Sequence, residues 1–244
     1  MNKTGIEWCD YTFNPVTGCN HGCPYCYARK IAERFRGSKA WPQGFEPMFH
    51  PERLQDLTKI RKSQQSIFVC SMADLFGKWV DQNWIEEVLY AAARTKGQTF
   101  IFLTKDPANM VECVDEWRDL RLLTEAKSTL WFGTSITGEG DDHRLEELKQ
   151  MCTSNLFVSF EPLLGSPGPL DLTGIKQVII GAQTNPLVLP DPYLVESLVV
   201  DATNAGAKVF LKDSLVDTPA WDRSLHQMKT GKALRATAWP LVKA

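Results

Sequence analysis

Ile67-Phe68-Val69-Cys70, then Asn83 to Lys96, then Thr99-Phe100-Ile101-Phe102-Leu103: this stretch holds the pattern from which the fold follows. Its two short runs are apolar, β-branched or aromatic without alternation, which is how a strand buried on both faces of a parallel sheet reads. Between them Ile85, Val88, Leu89 and Ala92 recur at helical spacing and predict an amphipathic helix laid over the sheet. Strand, helix and strand in that order make a right-handed βαβ unit.

The same rhythm continues on both sides. Further strand-like runs are Thr129 to Gly133, Leu156 to Phe160, Val178 to Gly181 and Lys208 to Leu211, and one more is expected around Asp10 to Asn14. Helical spacing returns over 142–152 (Leu145, Leu148, Met151) and over 192–205 (Leu194, Leu198, Val199). The link from Phe160 to Val178 carries Pro162, Gly165, Pro167, Gly168, Pro169 and Gly174, too short and too broken for a full crossover helix. The expectation is an α/β fold with about six to seven parallel strands in a partial (β/α) barrel. Neither an internal repeat nor a linker interrupts it, so residues 1–244 read as one domain.

Most of these runs end in polar residues at the C-terminal edge. Ser71 and Asp74 follow the first, Thr104 and Lys105 the second, Thr134 and Ser135 the third. Glu161, then Gln183 and Thr184, then Lys212 and Asp213 follow the rest. Parallel β/α barrels build their active sites from this edge. Any one of these residues is explained by a strand ending in water; the series in register points to a shared site.

Composition is that of a globular chain: 244 residues, 43% hydrophobic and 23% charged. The net charge of −2 provides no general field for nucleic acid or anionic membrane. A basic tail, about 223–244, carries Arg223, Lys229, Lys232, Arg235 and Lys243 without Asp or Glu, either as a solvated terminus or as a nucleic-acid contact. No apolar run approaches the roughly 20 residues of a membrane helix. The start Met1-Asn2-Lys3-Thr4-Gly5 lacks a signal-peptide core, so a cytoplasmic location is expected. Seven cysteines, three of them within eight residues, suggest metal or catalytic use in such a reducing compartment.

Those three lie in Gly18-Cys19-Asn20-His21-Gly22-Cys23-Pro24-Tyr25-Cys26-Tyr27-Ala28, spaced C-x3-C-x2-C, with a helix expected from Tyr27 to Phe35. Thiolates ligate iron–sulfur clusters, and four irons ordinarily take four of them. Three therefore leave one iron of a 4Fe–4S cluster open to a small chelating ligand. Gly18 and Gly22 allow the tight turns of a loop wrapped round a cluster. The alternative is a structural zinc, which needs a fourth ligand such as His21 or Cys9. Cys70, on a strand, and Cys113 and Cys152, on helix-like segments, read as small buried hydrophobes.

The loop, with Tyr25 before its last cysteine, resembles the radical S-adenosylmethionine (SAM) superfamily. Asn14-Pro15-Val16-Thr17-Gly18-Cys19 and Tyr25-Cys26-Tyr27-Ala28 are similar to one branch, a bacterial and phage-encoded family of unassigned function named after phage gene products. That likeness extends to Ile6-Glu7-Trp8, Ser71 to Phe76, Phe102 to Lys105, Trp131 to Ser135, Ser159 to Gly165 and Val209 to Lys212. The cysteine loop also resembles spore photoproduct lyase-like proteins, whereas the downstream blocks do not. Two departures stand out: a shorter first cysteine gap than many family members have, and Gly181-Ala182-Gln183-Thr184-Asn185 where many carry Gly-Gly-Glu-Ser-Gly.

The resemblance implies a TIM-barrel-like radical SAM domain. Cys19, Cys23 and Cys26 would hold the 4Fe–4S cluster, with SAM as second cofactor and a flavodoxin or ferredoxin as electron donor. The segment near Tyr25 would meet the adenine, Ser71 or Asp74 the methionine ammonium, and Thr134 and Ser135 the ribose. Gly181 would let the adenosyl group approach, with neutral Gln183 beside it. Lys105, Glu161 and Lys212 are left as candidates for catalysis or for an anionic group, Glu161 pairing with one of the lysines.

The expected activity is hydrogen abstraction by a 5′-deoxyadenosyl radical from a nucleotide, a nucleic acid or another substrate. The competing reading is a non-catalytic nucleic-acid-associated module with a structural zinc or iron–sulfur site, its bases stacked on Trp41, Trp79 and Trp239, which lie beside basic residues. Replacing Cys19, Cys23 and Cys26 together by Ala should abolish iron binding, whereas Cys113→Ala and Cys152→Ala should retain it. Iron and sulfide analysis after anaerobic purification measures this, and unchanged iron in the triple variant would sink the cluster assignment.

Overall fold

A computed structural model describes residues 1–60, 62–119 and 125–216. The basic tail and Trp239 lie outside the described residues. The chain divides into two compact units, Met1–Gly5 with Cys9–Leu130, and Ile6–Trp8 with Trp131–Ala244.

The first unit contains strands β1 (Asn2–Lys3), β2 (Tyr11–Phe13), β3 (Val16–Thr17), β4 (Met48–Phe49), β5 (Ser66–Val69) and β6 (Thr99–Thr104). Its α-helices are α1 (Tyr27–Arg34), α2 (Gln82–Arg94) and α3 (Pro107–Asp119). The main strands run in the order β1-β2-β5-β6. Phe13 pairs with Val69, and Val69 with Phe102, all in parallel. Short β1 adds an antiparallel edge, and β3 and β4 form a separate ladder just before and after the cysteine region. Helix α2 starts where Asp81 accepts a hydrogen bond from the Asn83 amide and buries Ile85, Val88, Leu89 and Ala92. These are the positions its sequence spacing selects.

The second unit is built on β7 (Thr129–Ser135), β8 (Leu156–Phe160), β9 (Gln177–Ile180) and β12 (Lys208–Leu211), with a hairpin of β10 (Gln183–Thr184) and β11 (Leu187–Val188). Its helices are α4 (His143–Leu148), α5 (Pro192–Asn204) and α6 (Asp213–Val216). Strand order is β7-β8-β9-β12, with parallel neighbours throughout. All residues of β8 and β9 are buried, as expected of strands covered on both faces. The Pro/Gly-rich link between them contains no helix.

The fold class is therefore the α/β class read from the sequence. Strand–helix alternation with parallel neighbours is the connectivity of a partial (β/α) barrel. Several details differ. Helix α3 was not among the expected helices, and α4 stops at Leu148, although Leu145, Leu148 and Met151 are all buried. The buried face of α5 runs through Val195, Leu198, Val199 and Ala202, so Val195 takes the place expected for Leu194. Cys70 is the first residue past β5, buried at a positive φ of 57°. Cys152 is exposed, because α4 has already ended, and burial does not explain it. Trp41 is core, packed with Ala28, Ala32 and Phe45, which removes it as a stacking surface for bases.

Phe13 closes β2, the strand that leads toward the cysteine loop, and is fully buried. Phe13→Ala should destabilise the protein by about 3–5 kcal/mol. Val200→Ala, on the exposed side of α5, should stay within about 0.5 kcal/mol. Urea unfolding of both variants checks the contrast.

Candidate functional site

Cys19, Cys23 and Cys26 are free thiols, each half-buried. Gly18 sets up the loop. Its φ is 86°, and a Cβ there would stand 2.2 Å from the Glu46 carbonyl oxygen and 2.7 Å from that of Phe45. Backbone amides fix the same point: Gly18 N donates to Met72 O (3.0 Å) and Cys19 N to Phe45 O (3.2 Å). Arg29 reaches back from α1, its guanidinium donating to Cys19 O (2.9 Å) while lying 4.9 Å from the Phe45 ring centroid. At the far end of the loop Cys26 caps α1, and its sulfur accepts from the Arg29 amide at 3.3 Å. The positive end of the helix thus faces one of the three sulfurs.

Asp74, five residues beyond β5, joins this loop to the strand ends of the unit. It is only 5% exposed. One carboxylate oxygen accepts from His21 Nε2 (2.7 Å) and the Lys105 amide (2.8 Å). The other accepts from Thr104 Oγ1 (2.7 Å) and the Phe76 amide (3.1 Å). Ser71 Oγ donates to Asn14 Oδ1, and the Ser71 carbonyl accepts from the Tyr27 hydroxyl at 2.7 Å. Lys105 Nζ donates to the Tyr25 hydroxyl at 2.8 Å and lies 5.5 Å from its ring centroid. Burial holds the Tyr25 phenol above its ordinary pKa, with the Lys105 charge opposing it. Tyr25, Ser71, Asp74 and Lys105, chosen from scattered positions in the sequence, are thereby gathered round the cysteine loop at the C-terminal ends of β5 and β6.

The remaining candidates belong to the second unit. Lys212 forms an ion pair with Glu161, so Lys212 is the lysine that takes the carboxylate. Gly181 leaves room for that pair: a Cβ would meet Lys212 Cδ at 2.7 Å and Glu161 Cγ at 3.3 Å. Thr134 and Ser135 are buried within β7, and the Ser135 carbonyl accepts from Arg144 at 3.0 Å. Gln183 donates to Pro186 O at 3.0 Å and so closes its own hairpin. Glu7 accepts from the Asp213 amide at 2.7 Å, and burial holds its carboxyl above the usual range.

Sequence reasoning missed Arg29, Asn14 and His21's true partner. Arg29 alone left a trace, as a cation one helical turn after Cys26. The contacts of Asn14 and His21 span more than 50 residues, and local spacing carries no sign of them.

Three free, half-buried thiols on one loop are the donors that a thiolate-ligated cluster takes, although each must give up its proton to bind. Burial, above all, pushes the Cys19 thiol up to about 12; the charges of Asp74, Cys23 and Cys26 add to this, and the His21 amide, a hydrogen-bond donor, opposes it. Among the described residues, no three His, Cys, Asp or Glu side chains already stand in place to hold one metal ion. His21, the loop's own candidate for a fourth zinc ligand, has its Nε2 committed to Asp74. Among the described residues no helix is long and apolar enough to cross a membrane.

The family model described as "Protein of unknown function (DUF5131)" matches residues 3–240. No curated protein sequence matches the chain. Among solved structures the chain is similar to a spore photoproduct lyase variant at TM-score 0.55 and 14% identity, covering 85% of this chain and 78% of that one. It is also similar to another variant of that lyase, carrying dinucleoside spore photoproduct, at TM-score 0.50 and 15% identity over 75% of this chain; there it spans 58% of the neighbour's length. The fold likeness thus reaches far beyond the cysteine loop, at 14–15% identity.

Gly18→Ala should cost clearly more than the roughly 1–2 kcal/mol of a left-handed alanine, because its Cβ also strikes backbone. Gly22→Ala, with φ 70° but nothing within 4 Å of its Cβ, should cost only that strain. Equal unfolding midpoints for the two variants would contradict the loop packing.

Proposed function

The chain belongs to the family described as "Protein of unknown function (DUF5131)", and we propose that it is a radical SAM enzyme acting on a nucleotide or nucleic-acid substrate. The observation that carries this reading is the three-cysteine loop tied to the C-terminal ends of parallel strands through Asp74, Tyr25 and Tyr27. Cys19, Cys23 and Cys26 would hold a 4Fe–4S cluster. When bound, that group supplies an electron and an open iron for the reductive cleavage of SAM to methionine and a 5′-deoxyadenosyl radical, which then abstracts hydrogen from the substrate.

The chain's own residues prepare the place. Arg29 and the helix end at Cys26 set positive charge beside a loop of thiolates. Lys105 offers an ammonium to an anionic group of a ligand, with the Tyr25 hydroxyl as the partner it would exchange. Tyr25 places a ring next to the last cysteine, where an adenine would find a flat face. The nucleotide preference is supported by the solved neighbour bound to dinucleoside spore photoproduct. A one-electron donor protein and a reducing, cytoplasmic setting belong to the same proposal.

Anaerobically reconstituted protein should bind about four irons per chain, and with SAM and dithionite it should release 5′-deoxyadenosine, read by chromatography. Slow uncoupled release without substrate is sufficient support. A fully loaded cluster whose spectrum SAM does not perturb, and which yields no 5′-deoxyadenosine, would refute the proposal.

A further inference from the structure

The Asp74 carboxylate has four hydrogen-bond partners and about four lone-pair sites to meet them. Two are backbone amides, Lys105 and Phe76, one is the Thr104 hydroxyl and one is His21 Nε2. The side chain is 7% exposed. A ligand ammonium would have to displace a partner from a buried carboxylate that is already satisfied, leaving that donor unpaired. This geometry does not suit a ligand acceptor. It suits a clamp.

What the clamp holds is His21, inside the cysteine loop. The His21 ring donates through Nε2 to Asp74, and the Trp79 ring meets it edge-on with centroids 4.7 Å apart. Trp79 in turn lies over Gly77, where a Cβ would fall 2.3 Å from its ring. His21 stands two residues from Cys19 in the loop, and its backbone amide opposes the upward push on the Cys19 thiol. A chain of contacts therefore runs from the ends of β5 and β6 through Asp74 and His21 to one of the three thiols.

We propose that Asp74 is a positioning residue. Through His21 it fixes the cysteine loop, and Cys19 above all, in the arrangement that cluster binding requires, and it is not the acceptor for the ammonium of SAM. The proposal rests on the cluster reading above for its purpose, but its physical content is visible in the apoprotein. Outer hydrogen bonds that orient metal ligands typically change metal affinity or activity by about 10–100-fold when removed.

The test uses the full chain. In apoprotein, Asp74→Ala and His21→Ala should each speed iodoacetamide alkylation of Cys19 several-fold, by peptide mapping, with exposed Cys152 as an unchanged reference. The double variant should be no faster than the faster single, as expected of two residues acting through one contact. After reconstitution both singles should retain less iron. Molecules that do carry a cluster should bind SAM within a few-fold of wild type. Unchanged alkylation and iron content, with SAM binding weakened roughly tenfold or more, would overturn the proposal and make Asp74 the ligand acceptor. If Asp74→Ala loses its circular dichroism, His21→Ala decides alone, since it leaves the other three donors on Asp74. If wild-type protein takes up no iron, the cluster reading fails, while the alkylation rates still decide whether the clamp exists.

Discussion

A carboxylate taken out of water needs compensation, and Asp74 receives it from four donors on three segments of the first unit. One donor lies in the cysteine loop, one in the turn after β5, and two where β6 ends. Because each bond accepts only a narrow range of lengths and angles, satisfying the carboxylate fixes those segments together. The loop then hangs from the strand ends instead of from its own short backbone. Gly18, Arg29 and the Tyr27 hydroxyl reinforce the same attachment from the other side.

The charged side chains at the strand ends already have partners. Lys105 donates to Tyr25 in the first unit, and Lys212 pairs with Glu161 in the second. A charged side chain beside an apolar strand is costly unless paired, so such pairing is the natural resting state. It also means that a ligand's anionic group would compete with a partner already present. A phenol exchanges more readily than a carboxylate does, since it holds the ammonium without a full opposite charge. Of the two lysines, Lys105 therefore has the more readily exchanged partner.

The likeness to spore photoproduct lyase variants at 14–15% identity shows how little sequence this fold requires. Strands such as β6 and β9 need apolar residues of suitable volume on both faces, and many combinations satisfy that condition. A substitution that preserves volume and pattern leaves the strand in register. The cysteine loop is constrained differently, by the chemistry of its thiols and by the left-handed turns at Gly18 and Gly22.

The sequence by itself determined the α/β class, seven main strands, the helices at α1, α2 and α5, and the three thiols at their spacing. All of these are local: hydrophobic period and cysteine spacing are set within one segment and read there. Tertiary structure decided the partners. That Asp74 meets His21, that Lys105 goes to Tyr25 and Lys212 to Glu161, and that Gln183 turns into its own hairpin depends on which segments the sheet brings together. Cys70 and Cys152 make the same point on a smaller scale, for a strand and a helix each ended before reaching them. Polar side chains at strand ends announce a site, but a hydrogen bond is directional and short. Its partner is chosen by the fold, across tens of residues of sequence that carry no record of the choice.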